Sequence, residues 1–228
     1  RVQVEGACIP LQISDLAILF VQTPAEIQDQ PDDFTLCEFE NATFTADVSG
    51  EGLVYQWEES RDGGSSWSAL SDAGVYIGSA TKTLTIFSVG RDMDGYQYRL
   101  QVSGICGAPV TSDEVLLTVN TSPEILTQPV TFTACEDEQA PFVVEAQGTS
   151  LVYQWQVNDG SGFSDILTTD VLYTGADTDS LSILNAQLPM AGWSYRVIVT
   201  GTCTPPAVSD PVLLLVNPNP PINLEPED

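Results

Sequence analysis

The residues of this chain that could do chemistry are its carboxylates and its cysteines. The 228 residues include 32 Asp and Glu and five Cys against six Lys and Arg, with no His. Without histidine, Ser-His-Asp and Cys-His catalysis, His-ligated zinc and His general-base chemistry are excluded. Acidic pairs alone could hydrolyse glycosides, but the recurrent carboxylates fall on turns and strand starts, where water keeps them ionised. We therefore expect that the chain is not an enzyme.

The charge balance restricts the possible partners. A formal net charge of −26 repels nucleic acid and anionic membrane surfaces, so neither is expected as a partner. The composition, 43% apolar and 17% charged, still suffices for a buried core. Since no run approaches the roughly 18 apolar residues that cross a bilayer, we expect no membrane insertion.

The chain contains internal repeats. Leu53–Trp57 recurs letter for letter 98 residues later, at Leu151–Trp155, and after a one-residue deletion an offset of 97 relates Cys106 to Cys203. Such self-similarity is the sequence signature of a repeat array. We expect an excerpt of a longer array with these parts: C-terminal strands of a preceding repeat at 1–22, a complete first repeat at 23–121, a complete second repeat at 122–218, and a linker with the start of another repeat at 219–228.

Each repeat is patterned as short strands. Apolar and polar residues alternate with period two, as in Phe44–Val48 and Tyr98–Val102, and glycine-rich turns such as Arg61–Ser65 separate these runs. Several short strands per repeat, with no helical stripe, are typical of a β-sandwich. The pattern therefore predicts an all-β fold.

Aromatic positions refine this prediction. Trp57 and Trp155 lie where the core of an immunoglobulin-like sandwich holds a tryptophan, and Tyr98 resembles its tyrosine corner. Antibody domains place a core cysteine two residues after that tyrosine, whereas this chain has Leu100 and, in the second repeat, Val197. We predict tandem immunoglobulin-like β-sandwich repeats in which aliphatic packing replaces the core disulfide.

The five cysteines occupy two positions of the repeat. Cys37 and Cys135 precede the second strand, whereas Cys8, Cys106 and Cys203 follow the sixth. The economical pairing is one disulfide in each complete repeat, Cys37–Cys106 and Cys135–Cys203, which leaves Cys8 unpaired in this chain. Metal ligation is the alternative, but without His or a Cys-x-x-Cys pair no metal site is assigned. Disulfides indicate an oxidising, extracytoplasmic location.

An ordered set of motifs covers essentially the whole chain. In order, these are Tyr-Gln-Trp, a Gly-rich turn, Trp67 or Phe163, Tyr76-Ile77-Gly78 or Tyr173-Thr174-Gly175, Leu-x-Ile, Gly-x-x-Tyr-Arg and Gly-x-Cys. The set resembles the Ig-like repeats of giant Bacteroidota cell-surface adhesins, the SprB-type gliding-motility adhesins. The resemblance implies export by the type IX secretion system, display on the outer surface of a Gram-negative bacterium, and service as a stalk or adhesive repeat.

Four aromatic residues are the candidate ligand contacts. Trp67, Tyr76, Phe163 and Tyr173 lie in the loop-rich middle of the repeats, where the two copies differ most. Exposed aromatic rings beside polar groups could stack on sugars or contact a protein. The alternative is that these rings close one end of the sandwich.

Arginine recurs at one position, as Arg1, Arg99 and Arg196. Strand alternation points Arg99 outward, where it could contact an anion or a glycan. The favoured interpretation is structural, namely a cross-strand ion pair or a stack on a neighbouring aromatic ring.

Two other kinds of site are considered. Structural calcium could bind at four acidic clusters, although no dedicated calcium spacing is present and solvated surface charge is the favoured explanation. The clusters are Asp29/Asp32/Asp33, Glu38/Glu40, Asp92/Asp94 and Glu136/Asp137/Glu138. Asp179-Ser180-Leu181 resembles the O-glycosylation acceptor of Bacteroidota, which makes Ser180 a candidate glycosylation site. No other cofactor is expected.

These features predict a repeat segment of a large extracellular adhesin or stalk, as in gliding-motility surface adhesion. Its partners would be neighbouring repeats of the same chain. The alternative is a ligand-binding module whose aromatic loops grip a surface polysaccharide or a protein.

Overall fold

The regular secondary structure of the described residues is almost entirely β-strand, as the alternating pattern predicts. The structure, a computed structural model, describes residues 2–7 and 9–220. The predicted roles of Arg1 and Cys8, and most of the predicted start of another repeat, lie outside the described residues. Across the described ranges, no helix is long and apolar enough to span a membrane.

The strands follow the chain in three groups. A hairpin comes first, formed by β1 (Gln3–Gly6) and β2 (Ile9–Ile13). The first repeat contributes β3 (Glu26–Asp29), β4 (Phe34–Cys37), β5 (Ala42–Thr45), β6 (Asp47–Ser49), β7 (Val54–Ser60), β8 (Ser68–Ala69), β9 (Tyr76–Ile77), β10 (Thr83–Ile86), β11 (Gln97–Ser103), β12 (Val110–Thr111) and β13 (Val115–Asn120). The second repeat contributes β14 (Glu124–Thr127), β15 (Phe132–Cys135), β16 (Ala140–Val143), β17 (Glu145–Gln147), β18 (Val152–Asn158), β19 (Phe163–Asp165), β20 (Tyr173–Thr174), β21 (Ser180–Ile183), β22 (Ser194–Thr200), β23 (Ala207–Val208) and β24 (Val212–Asn217). Short 3₁₀ helices at Arg91–Met93 and Leu188–Met190 precede β11 and β22.

Both repeats have the same sheet topology. In the first, one sheet has the order β4-β13-β11-β7-β8, with β12 also on β11, and the other has the order β5-β10-β9. The second repeat matches it strand for strand, with β15-β24-β22-β18-β19 and β16-β21-β20. The predicted limits of the repeats, 23–121 and 122–218, stay predictions, but the two copies of the sequence pattern do fold alike.

One tryptophan from each repeat lies at the centre of its sandwich. The Trp57 and Trp155 side chains are fully buried. Each indole Nε1–H donates to a main-chain carbonyl at 2.9 Å, that of Thr81 in the first repeat and that of Thr178 in the second. A buried indole N–H requires such an acceptor. The bond fixes the segment before β10, or before β21, to the opposite sheet.

Aromatic rings from both sheets surround this tryptophan. The Phe44 ring of β5 lies 6.3 Å from Trp57 and 5.1 Å from Tyr98, centroid to centroid. The corresponding distances in the second repeat are 6.4 and 5.0 Å, among Phe142, Trp155 and Tyr195. These separations are typical of favourable tilted and offset aromatic pairs.

Aliphatic side chains occupy the position of the second core cysteine of an antibody domain. Leu100 and Val197 have no exposed surface, and Leu100 lies directly across from Trp57 in the β11–β7 pair. The prediction of aliphatic packing at this position is confirmed.

The glutamine of the repeated Tyr-Gln-Trp motif has a structural role of its own. Gln56 Nε2 donates to the carbonyls of Trp57 and Leu70, at 2.9 and 2.8 Å. Gln154 donates to the two equivalent carbonyls of the second repeat, both at 2.9 Å. The amide thereby holds the segment after β8 or β19 against the strand that carries the tryptophan.

The disulfide differs from the predicted pairing. Cys37 is bonded to Cys203, with the two Cα atoms 5.8 Å apart, and Cys106 and Cys135 are unpaired in the described structure. The predicted pairs Cys37–Cys106 and Cys135–Cys203 are therefore wrong.

Both bonded cysteines belong to one compact unit of the chain. The chain divides into two compact units, the first made of residues 1–34, 43–86 and 96–116 and the second of residues 35–42, 87–95 and 117–228. In sequence terms, however, Cys37 comes from the first repeat and Cys203 from the second, 166 positions apart.

Strand direction explains why pairing within a repeat fails. Because β15 runs parallel to β24, Cys135 lies opposite Asn217 at the end of β24. Cys203 lies in the loop before β23 and β24, and these strands span roughly 30 Å of extended chain. A disulfide requires Cα atoms within about 7 Å of each other. The two cysteine positions of one repeat therefore lie at opposite ends of its sandwich.

Replacing the buried tryptophan tests the core. Trp57→Phe should lower the free energy of unfolding by about 2–3 kcal/mol, because it leaves a cavity and an unpaired Thr81 carbonyl. Trp67→Phe, at a half-buried ring, should cost less than about 1 kcal/mol. Urea denaturation measures both, and equal losses would contradict the assigned role of Trp57.

Peptide mapping tests the disulfide. Digestion under non-reducing conditions should yield a linked peptide pair that contains Cys37 and Cys203. Cys203→Ser should lower the free energy of unfolding by about 3–5 kcal/mol, since the bond closes a long loop, whereas Cys106→Ser should change it little. A linked Cys37–Cys106 peptide would restore the pairing inferred from the sequence.

Candidate functional site

The recurrent arginine of the first repeat is held on the outer face of its sheet. Arg99 of β11 lies opposite Glu58 of β7, and its Nε lies 2.8 Å from Glu58 Oε2. Its guanidinium carbon also lies 4.1 Å from the centre of the Trp67 ring, and a second carboxylate, Glu114, is 3.9 Å from the guanidinium. Arg99 is therefore both ion-paired and stacked.

The second repeat has the same arrangement with a neutral partner. Arg196 Nε donates to Gln156 Oε1 at 2.8 Å, and its guanidinium carbon lies 4.0 Å from the centre of the Phe163 ring. A cation above an aromatic face is attracted by the ring quadrupole. The structural interpretation is confirmed for Arg99, and Arg196 keeps the stack with an amide in place of the carboxylate.

The candidate ligand contacts Trp67 and Phe163 are half-buried beneath these arginines. The Trp67 Nε1–H also donates to the Gly64 carbonyl at 3.2 Å. One face of each ring is thus covered by a side chain of its own repeat. That either ring contacts a ligand stays a prediction.

The other two candidate contacts lie closer to the core. The Tyr76 hydroxyl donates to Glu59 Oε2 at 2.7 Å, and its ring lies 6.3 Å from Tyr98. Tyr173 is only 8% exposed, and its ring lies 6.3 Å from Tyr195. Burial raises the pKa of Tyr76, and the neighbouring Glu59 carboxylate raises it further, so the hydroxyl stays protonated and can donate.

A buried carboxylate in the first repeat was not anticipated from the sequence. Glu59 is 7% exposed and accepts from Arg61 Nε and Nη2, at 2.9 and 2.6 Å, as well as from Tyr76. Its position two residues after Trp57 in β7 is the signal that could have found it, because alternate residues of a strand face the same side. Val157 stands there in the second repeat, so this cluster belongs to the first repeat.

The turn after β7 is organised by one exposed aspartate. Asp62 accepts from the Ser66 hydroxyl at 2.6 Å, the Ser66 N–H at 2.8 Å and the Ser60 hydroxyl at 2.8 Å. These hydrogen bonds, Ser66 first, lower the pKa of Asp62 to about 2. The carboxylate therefore stays ionised at any physiological pH and shapes a turn.

Several acidic residues of the predicted calcium clusters accept main-chain N–H groups. Asp33 accepts from Leu116 at 2.7 Å, and Asp94 accepts from Val119 at 2.8 Å. Among the described residues, no group of three or more His, Cys, Asp or Glu side chains is placed to hold a metal ion. These carboxylates act as backbone caps, and structural calcium stays a hypothesis.

Ser180, the candidate glycosylation site, begins β21 and is half-buried. Its main-chain N–H donates to Thr178 Oγ1 at 3.2 Å, and its carbonyl accepts from the same hydroxyl at 3.0 Å. Glycosylation at Ser180 stays a prediction.

A small pocket lies on the outer face of the first repeat. Its volume is about 110 Å³, and Val54, Gln56, Gln101, Val102, Ser103 and Pro109 line it. Sites for small molecules are usually larger, about 300–1,000 Å³. The pocket therefore does not indicate a small-molecule substrate.

No protein-family model and no curated protein matches this chain, but solved structures do. The I67–I69 fragment of the titin I-band matches with a TM-score of 0.68 at 17% identity, over 87% of this chain and 67% of that one. Dpr11 IG1 bound to DIP-gamma matches with a TM-score of 0.60 at 17% identity, over 84% and 98%. Immunoglobulin domains 1–4 of Sidekick-1 match with a TM-score of 0.62 at 15% identity, over 86% and 49%.

At these identities the likeness concerns the fold alone. The chain consists of tandem immunoglobulin-like β-sandwiches, so the fold class predicted from the sequence is confirmed.

Replacing the recurrent arginine in each repeat separates the contribution of the ion pair from that of the aromatic stack, because Arg99 has a carboxylate partner where Arg196 has an amide. Arg99→Ala should lower the free energy of unfolding by about 2 kcal/mol, because Glu58 loses its partner and the Trp67 ring loses the stack. Arg196→Ala, with neutral Gln156 as partner, should cost about 1 kcal/mol. Urea denaturation at low and high salt checks this: salt should narrow the difference, and equal losses at low salt would contradict the ion pair's contribution.

Proposed function

We propose that this chain is a segment of an extracellular adhesin or stalk, in which its repeats serve as spacers that resist extension. The finer assignment, to cell-surface adhesion of the gliding-motility type in a Bacteroidota bacterium, rests on the resemblance of the repeat motifs. Its support from this chain is the tandem immunoglobulin-like fold together with a covalent link between the repeats.

The observation that carries the proposal is the Cys37–Cys203 bond. When a chain is pulled by its ends, force follows the shortest covalent path, and this bond bypasses the polypeptide between two residues 166 positions apart. That stretch contains most of both sandwiches. It would therefore stay folded, or at least unextended, under tension.

The bond also bears on location. Disulfides persist in oxidising compartments and are rare in the cytosol, which supports an extracellular position. The net charge of −26 adds solubility and repulsion between neighbouring chains, as suits a segment held away from a surface.

The packing of the candidate contacts favours spacing over ligand binding. Trp67 lies against Arg99 and Phe163 against Arg196, so a sugar ring could stack only on the opposite face of each ring. Four carboxylates instead accept main-chain N–H groups, namely those of Asp33, Glu40, Asp94 and Glu138.

Ligand binding is the second candidate, and exposed aliphatic residues at matching positions favour it. Val54 is 65% exposed and Val152 60%, at the start of β7 and β18. Among proteins of this fold, Dpr11 binds DIP-gamma through immunoglobulin domains. A protein surface is therefore the ligand class that this candidate would take.

Single-molecule stretching tests the spacer role. Pulled by its ends without reductant, the chain should withhold about 580 Å of contour length, the length of 166 extended residues. Adding reductant, or Cys203→Ser, should release it, whereas Cys106→Ser should behave like the parent. Full extension without reductant would contradict the proposal.

Binding to a panel of glycans and matrix proteins, with calcium or with chelator, tests the second candidate. The spacer role predicts no saturable signal in either condition. A signal that is lost in Trp67→Ala or Phe163→Ala, but kept in Trp193→Phe, would make these repeats adhesive modules. A signal that requires calcium would in addition support a structural ion.

A further inference from the structure

Two described cysteines, Cys106 and Cys135, are unpaired, and they stand at the repeat positions that the disulfide uses elsewhere. Cys135 is the second-repeat equivalent of Cys37, and Cys106 is the first-repeat equivalent of Cys203. Among the described residues, the chain thus contains one disulfide of this kind and one further, unpaired cysteine at each of its two repeat positions.

The turn around Cys135 has the same geometry as the turn around bonded Cys37. The Cys37 N–H donates to Glu40 Oε2 at 2.9 Å, and the Cys135 N–H donates to Glu138 Oε2 at 3.0 Å. In both turns the residue two positions after the cysteine has a left-handed φ, 69° and 70°. In both, the N–H next to the cysteine donates to the last residue of the neighbouring strand at 2.9 Å.

The chain that leads into Cys106 matches the chain that leads into bonded Cys203. The N–H that precedes Cys106 donates to the Glu51 carbonyl at 3.0 Å, and the N–H that precedes Cys203 donates to the Thr149 carbonyl at 2.9 Å. The glycine two positions before each cysteine lies so close to the same carbonyl that a Cβ would be 3.2 or 2.8 Å from it. After the cysteine the two loops differ, since Gly107 has a left-handed φ of 87° and the Thr204–Pro205 bond is cis.

The two thiols differ in exposure. Cys135 is exposed, and Cys106 is half-buried, with its Sγ donating to the Gln22 carbonyl at 3.6 Å. A partner that brings a second cysteine can reach Cys135 directly and can reach Cys106 at the loop surface.

We propose that Cys135 of one copy of this chain forms a disulfide with Cys106 of a second copy. The pair would repeat the Cys37–Cys203 bond between chains instead of within one. The bond joins different cysteines of the two copies, so a singly linked dimer keeps one Cys106 and one Cys135 for a further bond. This goes beyond the spacer role, since it assigns a partner to two thiols that form no bond in the described structure.

The bond forms by thiol–disulfide exchange with a small-molecule disulfide as the oxidant. The Cys135 thiol loses its proton to solvent, and its thiolate attacks the oxidant, giving a mixed disulfide and one small thiolate. The Cys106 thiolate of the second copy then attacks the Cys135 sulfur and releases the second small thiolate. Two protein thiols are oxidised, and the oxidant is reduced to two small thiols.

Oxidative cross-linking in a Cys8→Ser background tests the proposal. Cystamine is the suitable oxidant, because its ammonium groups are attracted to the acidic surface around Cys135, and moderate salt reduces repulsion between copies. The products are alkylated, separated on non-reducing gels and mapped by mass spectrometry. Circular dichroism and an intact Cys37–Cys203 peptide confirm that each variant is folded.

The expected products distinguish this pairing from others. The background protein should give a ladder of dimers, trimers and longer species. Cys106→Ser alone and Cys135→Ser alone should each stay monomeric, and an equal mixture of the two should stop at the dimer, linked through Cys135 and Cys106. Dimers of Cys106→Ser alone would show a symmetric Cys135–Cys135 bond and would overturn the proposal, as would a mixture that forms no dimer.

A displaced thiol is the matched control. Cys106→Ser and Cys135→Ser combined with Thr133→Cys leaves an exposed thiol on the same strand, two residues away and outside disulfide range of a correctly docked partner. Mixed with Cys135→Ser, which supplies Cys106, this variant should form dimer at least tenfold more slowly than Cys106→Ser, which supplies Cys135, does in the reference mixture. Equal rates would mean random collision and would refute a specific contact.

Discussion

The hydrogen bond of one buried indole holds each sandwich together. Trp57 fills the space between the sheets, and because its N–H cannot be left unpaired away from water, the chain before β10 has to present the Thr81 carbonyl to it. That requirement fixes β10, which pairs with the Phe44 strand β5, relative to β11, which carries Tyr98. The second repeat satisfies the same requirement with Trp155 and Thr178. This explains why Tyr-Gln-Trp recurs as a unit. The glutamine next to the tryptophan holds the segment after β8 or β19 against the strand that carries the tryptophan.

Charge is distributed around this core mainly as structure. Arg99 and Arg196 lie across aromatic rings on the sheet face, and acidic side chains accept N–H groups at strand ends and turns. These contacts use polar groups that composition alone would leave available for ligands. The first repeat alone carries the buried Glu59 with Arg61 and Tyr76, so the two copies share a core but differ in the polar cluster beside it.

The cysteines follow from strand direction. In the second repeat β15 runs parallel to the last strand, β24, and this sends Cys135 to the end opposite the loop that holds Cys203. Neither cysteine can then serve its own repeat. Each cysteine can instead form a disulfide with a cysteine of another repeat. Cys37 and Cys203 form such a bond, and the proposed bond between two copies would pair Cys106 with Cys135.

The sequence by itself determined the all-β fold, the identity of the core and the equivalence of the two repeats. Alternation of side chains, the tryptophan and tyrosine positions and the offset of 98 residues are local or periodic signals that survive without coordinates. The outward position of Arg99 and the aliphatic core at Leu100 and Val197 were predictable for the same reason.

Only the tertiary structure decided which cysteines meet and which aromatic rings are covered. Spacing along the chain made Cys37–Cys106 and Cys135–Cys203 the economical pairs, but a disulfide depends on a distance in space. Parallel pairing of β15 with β24 placed Cys135 at the end of its sandwich opposite the loop that holds Cys203. The sequence predicted an ion pair or an aromatic stack for the recurrent arginine, but not which ring it covers. That Arg99 lies on Trp67 and Arg196 on Phe163 depends on contacts between different strands. Contacts between residues far apart in sequence are set by strand order and direction, and these are properties of the folded chain.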